Sequence, residues 1–102
     1  PMHVHRSFVE GFYILEGQIE FVADGDVLLA NAGDFVQVPI GVAHTYRNPG
    51  DKPARFLAML TSSRFIGFFE EFEELVQTGR VTPQANAALL EKYDTTVVQL
   101  KK

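Results

Sequence analysis

The sequence predicts a mainly β protein, an antiparallel barrel or sandwich followed by helices, and three observations carry that expectation. Short apolar segments separated by turn residues fill residues 1–61, the spacing of an all-β domain. No helical pattern lies between those segments, which argues against the crossover connections of a doubly wound α/β fold. After Thr61 the apolar period changes from two to about 3.6, the helical value. At 102 residues the chain is long enough for one small domain and one core.

The expected strands are residues 2–5, 9–15, 18–23, 27–30, 35–38, 43–47 and 54–60. Asp24-Gly25 between two apolar runs is a two-residue hairpin signal, and Asn48-Pro49-Gly50-Asp51 a longer turn, so the sheet is expected to be antiparallel. Beyond the strands, Phe65, Phe68, Phe69, Phe72, Leu75 and Val76 fall on one helical face, with Glu70, Glu71, Glu73 and Glu74 largely away from it as a solvated face. Ser62 or Ser63 can cap that helix and Gly79 can end it. Thr82-Pro83 opens a second, shorter helix to about Tyr93, because proline suits the first helical turn. Residues 95–100 can add a last strand. The expected organisation is a single domain over 1–102, with strands over about 1–61, a helical tail over about 63–94 and further strands before Pro1. An edge left open near residues 1–6 would then need a longer chain or a second subunit to cover it.

Composition narrows the function classes. The hydrophobic share of 46% and charged share of 22% are ordinary for a soluble globular domain, and no apolar run is long enough to span a bilayer. Net charge is −4 and the nine basic residues are scattered, so there is no electrostatic footprint for nucleic acid. Without cysteine, any metal ligation falls to histidine and carboxylate. A nucleophile elbow and a phosphate-cradling glycine loop are both missing, which removes nucleophilic hydrolysis and nucleotide chemistry. With no signal or transit segment visible, the default address is cytoplasmic.

His3 and His5 are one residue apart, so on a strand both imidazoles leave from the same face, about 7 Å apart at the backbone. Glu10 has the opposite parity and reaches the same point only if a turn or bulge intervenes near residues 6–8. His44 follows Pro39-Ile40-Gly41, a turn at the rim of the sheet. The chain contains three histidines, and all of them belong to this set.

In both of their signature motifs these residues resemble the cupins. The first motif is His3-Val4-His5, Glu10 and Gly17. The second is Gly33, Pro39-Ile40-Gly41, His44 and Asn48. Every fixed position is filled except a glycine that would precede Pro1. The resemblance covers about residues 1–60, and the Phe-rich helix with the segment after it is similar to the tail of quercetin dioxygenase-like single-domain cupins. It implies a jelly-roll barrel in which His3, His5, Glu10 and His44 bind one divalent transition metal ion, with Glu10 also a candidate catalytic base. Three nitrogens and one carboxylate oxygen suit Fe, Mn, Ni, Cu or Zn and disfavour Ca²⁺ and Mg²⁺. The resemblance further implies a homodimer and a small-molecule substrate.

By alternation Phe12 and Ile14 share the face of Glu10, and Tyr46 and Asn48 that of His44. Phe12, Ile14 and Tyr46 are therefore candidate pocket residues, although aromatic side chains in a barrel are more often core. Asn48 reads as a turn residue, Tyr13 as pointing the other way, and Gly33 and Gly41 as suppliers of positive φ. The leading functional expectation is a metal-dependent dioxygenase acting on a small enolic or aromatic substrate chelated to the ion. A non-redox isomerase, cyclase or decarboxylase comes next, with Glu10 or a bound water moving the proton. A binding module without turnover is the third.

Overall fold

The structure is a computed structural model that describes residues 1–98. Its elements run β1 (His3–His5), β2 (Glu10–Glu16), β3 (Gln18–Ala23), β4 (Asp26–Asn31), β5 (Phe35–Val38), β6 (His44–Arg47), β7 (Arg55–Leu60), a 3-10 turn (Ser63–Phe65), α1 (Ile66–Gln77), α2 (Pro83–Lys92) and β8 (Thr95–Val97). Residues 99–100 of the expected last strand lie outside the described residues.

All strand pairs are antiparallel, and they form two sheets of order β4-β3-β6-β1-β8 and β5-β2-β7. The sheets are not closed into a barrel; the architecture is a jelly-roll-compatible sandwich with two C-terminal helices. The β3–β4 hairpin turns on Asp24 and Gly25 at φ 50° and 81°. Two consecutive positive φ values match the right-handed twist of the flanking strands, and Asp and Gly tolerate them. Asn48 serves the next turn as expected, accepting from the Gly50 amide at 3.0 Å and donating to the Lys52 carbonyl at 2.6 Å.

Alternation decides the core. Phe12 and Ile14 of β2, Ile19 and Phe21 of β3, Ala30 of β4 and Val38 of β5 are buried together between the sheets, while Tyr13 and Leu15 of β2 face outward and are exposed. A second core joins the sandwich to the helices, built from Phe8, Phe65, Phe68 and Leu90, with Leu60, Phe72 and Tyr93 packed against it. Two aromatic stacks, Phe65 on Phe68 and Phe68 on Phe72 at centroid distances of 4.9 and 5.6 Å, run along this seam.

Two sequence expectations need correction. The β1 edge is not open, because β1 lies between β6 and β8. The C-terminal strand returns across the sheet and pairs with it, His3 opposite Val97 and His5 opposite Thr95. Nor is the acidic face of α1 uniformly solvated. Glu71, half-exposed, forms a surface ion pair with Lys92 at 2.8 Å and accepts a hydrogen bond from the Tyr93 hydroxyl, tying α1 to the end of α2. Gly67 makes this approach possible, since a Cβ there would sit 2.6 Å from the Tyr93 hydroxyl oxygen.

The helix ends follow from their residues. Ser62 accepts from the Arg64 amide at 3.3 Å to open the 3-10 turn, and Gly79 at φ 69° follows the end of α1. Thr82 accepts from the Ala85 amide at 3.0 Å, with Pro83 at the first helical position. Removing that cap in Thr82→Ala should destabilise the protein by about 1 kcal/mol, read as a lower urea midpoint at unchanged slope. A smaller midpoint shift than Ala85→Ser produces would show that the cap contributes little. Among the described residues, no helix is long and apolar enough to cross a membrane.

Candidate metal centre

Four side chains from three strands meet where the two cores adjoin. β1 and β6 pair with His3 directly opposite His44. The imidazole centroids are 4.2 Å apart for His3 and His44, 4.8 Å for His3 and His5, and 4.9 Å for His5 and His44. Residues 6–9 leave the strand, change the parity and carry the chain to the second sheet, so that Glu10 opens β2 facing the histidines. That loop is held by the buried Phe8, whose ring lies 4.3 Å from His5, and by reciprocal bonds with Thr61: the Val9 amide to Oγ1 at 2.9 Å and the Thr61 amide to the Val9 carbonyl at 3.1 Å. On the other side the Gly41 amide donates to the His5 carbonyl at 2.9 Å, and the positive φ of Gly41, 82°, lets the chain turn into β6.

Potential ligand atoms of His3, His5, Glu10 and His44 all lie within 4.8 Å of one another. Their orientation is set from outside the cluster. His3 Nδ1–H donates to the Pro1 carbonyl at 2.8 Å and His44 Nδ1–H to the Val42 carbonyl at 2.9 Å; His5 Nδ1 is 2.8 Å from the Thr95 hydroxyl. A carbonyl only accepts, so the proton of a neutral His3 or His44 is committed to Nδ1 and its Nε2 carries the lone pair. Nε2 of both His5 and His44 is 3.2 Å from Glu10 Oε1. A carboxylate against imidazole lone pairs at that distance needs either further protons or a cation between them, and metal binding replaces the former with the latter.

Electrostatics agree with that reading. Burial pushes the Glu10 carboxyl up, but hydrogen bonds from His44 and His5, whose Nε2 atoms then carry protons, outweigh burial and hold it down at about 2, so it stands ionised, and a cation at the same point would replace those protons. Burial lowers His3 to about 4, against the raising effect of the Pro1 carbonyl and with help from His44 and His5. A neutral imidazole and an ionised carboxylate are the forms that ligate. His44 is 0% exposed, and a donor set of three nitrogens and one oxygen, polar yet walled by Phe8 and Phe65, fits a transition metal ion.

A cavity of about 190 Å³ opens onto this cluster, lined by His3, His5, Glu10, Tyr46 and, from the helical tail, Phe65, Phe68, Phe69, Asn86 and Leu90. Tyr46 lies at the cavity. Phe12 and Ile14 share the inward face with Glu10 but are consumed by the sandwich core, at 1% and 0% exposed, and do not line it. They sit further along β2, where the opposite sheet closes over them. The helical contribution to the cavity was not legible as such: the Phe65–Phe69 face reads as core in sequence, and only its docking against β1 turns it toward the histidines. Burial raises the Tyr46 phenol, with the Glu10 charge adding to it, so this hydroxyl keeps its proton beside the cluster.

Quercetin 2,3-dioxygenase of Bacillus subtilis is 40% identical over 47 residues, 46% of this chain but 14% of that protein. Among solved structures, a Thermotoga maritima protein described as a predicted oxalate decarboxylase superposes with a TM-score of 0.56 at 32% identity, covering 59% of this chain and 52% of that one. The cupin domain of Schizosaccharomyces pombe Cnp3 gives 0.58 at 18% identity, covering 82% and 56%, which shows the fold alone. The chain thus spans a minor part of that dioxygenase and about half of each of these two structural relatives. A family model described as Cupin domain matches residues 1–60, the segment that supplies all four clustered side chains, and the chain belongs to the cupin family.

Proposed function

We propose that the domain binds one divalent transition metal ion through His3, His5, Glu10 and His44, and acts as a metal-dependent dioxygenase on a small enolic or aromatic substrate. The observation that carries this reading is the convergence of four ligand atoms within 4.8 Å, with the histidine Nδ1 atoms engaged elsewhere. When bound, an ion with four protein ligands and open positions supplies Lewis acidity or a redox centre.

The chain's own residues would do the rest. Phe65, Phe68 and Phe69 offer an apolar aromatic wall, Phe69 edge-on to the other two rings, suited to an aromatic or conjugated ring. The protonated Tyr46 hydroxyl and the Asn86 amide are polar side-chain groups at the cavity, outside the cluster, that can orient substrate oxygens. The volume of about 190 Å³ is below the 300–1,000 Å³ usual for drug-sized ligands, which favours one ring or an open-chain diketone over a tricyclic flavonol. The homodimer is also proposed, supported by the exposed Tyr13, Leu15, Phe35, Leu57 and Met59 on the strands of the three-stranded sheet.

A second reading, non-redox isomerisation or decarboxylation with Glu10 as proton acceptor, is favoured by the Thermotoga neighbour. Against it, a carboxyl held at about 2 is poorly matched to general-base work near neutrality and is better suited to ligation.

Metal analysis of protein purified without chelator, followed by oxygen uptake with catechols, diketones and flavonols, tests the proposal. Metal-dependent uptake is expected with the first two classes in preference to the third. Turnover without oxygen would select the non-redox reading, and protein that neither carries nor binds a transition metal would remove both.

A further inference from the structure

Thr95 of β8 is 0% exposed, polar, and outside the four-residue cluster. Its Cα is the register partner of His5, and its hydroxyl oxygen lies 2.8 Å from His5 Nδ1. The same hydroxyl donates to the Tyr93 carbonyl at 3.2 Å. A threonine hydroxyl has a single proton. With that proton committed to Tyr93, the oxygen can only accept at His5, so the bond's hydrogen belongs to Nδ1. Neutral His5 then carries its lone pair on Nε2, the atom 3.2 Å from Glu10 Oε1.

His3 and His44 reach the same tautomer against backbone carbonyls, which leave no choice. A hydroxyl could serve either tautomer, so at His5 the outcome depends on how Tyr93 is held. The chain reverses at Asp94, at φ 59°. Asp94 is bolted to the loop after β1: its carboxylate accepts from Ser7 and from Arg64, both at 2.7 Å, and its carbonyl accepts from the Arg6 amide at 2.7 Å. This clamp fixes the Tyr93 carbonyl and the Thr95 hydroxyl relative to His5.

We propose that Thr95 is a positioning residue for the metal centre: its hydroxyl locks His5 as the Nδ1–H tautomer, presents Nε2 to the ion, and makes the C-terminal strand part of the site. The effect on metal affinity rests on the metal-binding reading above; the effect on the tautomer does not. Outer partners of ligating histidines typically change metal affinity by about 10–100-fold when removed.

The test compares the whole chain with T95V, which keeps the shape and removes the hydroxyl, and T95S, which keeps the hydroxyl and removes the methyl. In metal-free protein at pH 8, imidazole ¹⁵N–¹H correlations should show a proton on His5 Nδ1 in wild type and T95S and its loss from part of the population in T95V. Competition titration with Zn²⁺ against a chelator should show T95V weakened about 10–100-fold and T95S close to wild type. If T95V does not fold, Thr95→Ala, which cannot overpack the site, takes its place. A wild-type tautomer and affinity in T95V, or a T95S loss equal to that of T95V, would overturn the proposal. Absence of Zn²⁺ binding by wild type would count against the metal reading alone, leaving the tautomer pattern to decide the role of Thr95.

Discussion

His44→Ala should lower affinity for a divalent transition metal by about 100-fold or more, since losing an outer partner alone typically costs 10–100-fold and this change removes a ligand. The reasoning is geometric. His44 sits at the start of β6 opposite His3, is 0% exposed, and has Nε2 3.2 Å from Glu10 Oε1. The chain has no fourth histidine to replace it. The fold should survive, because the hydrophobic cores on either side do not include the imidazole, and the cost should stay within the usual range of about 0.5–3 kcal/mol. Chelator competition reads the affinity, and thermal unfolding of the metal-free proteins reads the stability. Equal affinity in variant and wild type would remove His44 from the ligand set.

Phe12→Ala should cost about 3–5 kcal/mol, the usual range for deleting a fully buried phenylalanine. Phe12 is 1% exposed, with aromatic partners Phe21, Tyr46 and Phe56 at centroid distances of 5.0, 5.5 and 5.4 Å. Both sheets supply these partners, so the space left cannot close without moving one sheet against the other. A domain of this size has about 5–15 kcal/mol in total, so the variant should be near the limit of folding, with its midpoint lowered by more than about 12 °C. Because Tyr46 borders the metal cavity and rests on Phe12, metal binding should also weaken. A drop below 1 kcal/mol in chemical denaturation would show that Phe12 is not part of a packed core.

Strand positions were legible because alternation is a local property. Residues 18–23 and 35–38 coincide with β3 and β5, and the Asp24-Gly25 turn lies where two positive φ values are needed. The same holds for α2, whose threonine cap and proline stand next to each other in the chain. Glu71 escaped this reasoning. Its neighbours on the acidic face stay outside, and its own turn toward Lys92 depends on where the end of α2 docks.

From the order of its residues alone, the chain determined a β domain with a helical tail and singled out His3, His5, Glu10 and His44. Periodicity and motif spacing are written along one dimension and need no knowledge of packing. Tertiary structure alone decided that β8 covers β1, that Phe12 and Ile14 belong to the core, and that Phe65, Phe68 and Phe69 wall the cavity. It alone placed the Thr95 hydroxyl against a histidine ninety residues away. Contacts of that range are set by how sheets and helices close on one another, and a threonine in a three-residue strand carries no local mark of the partner it will meet.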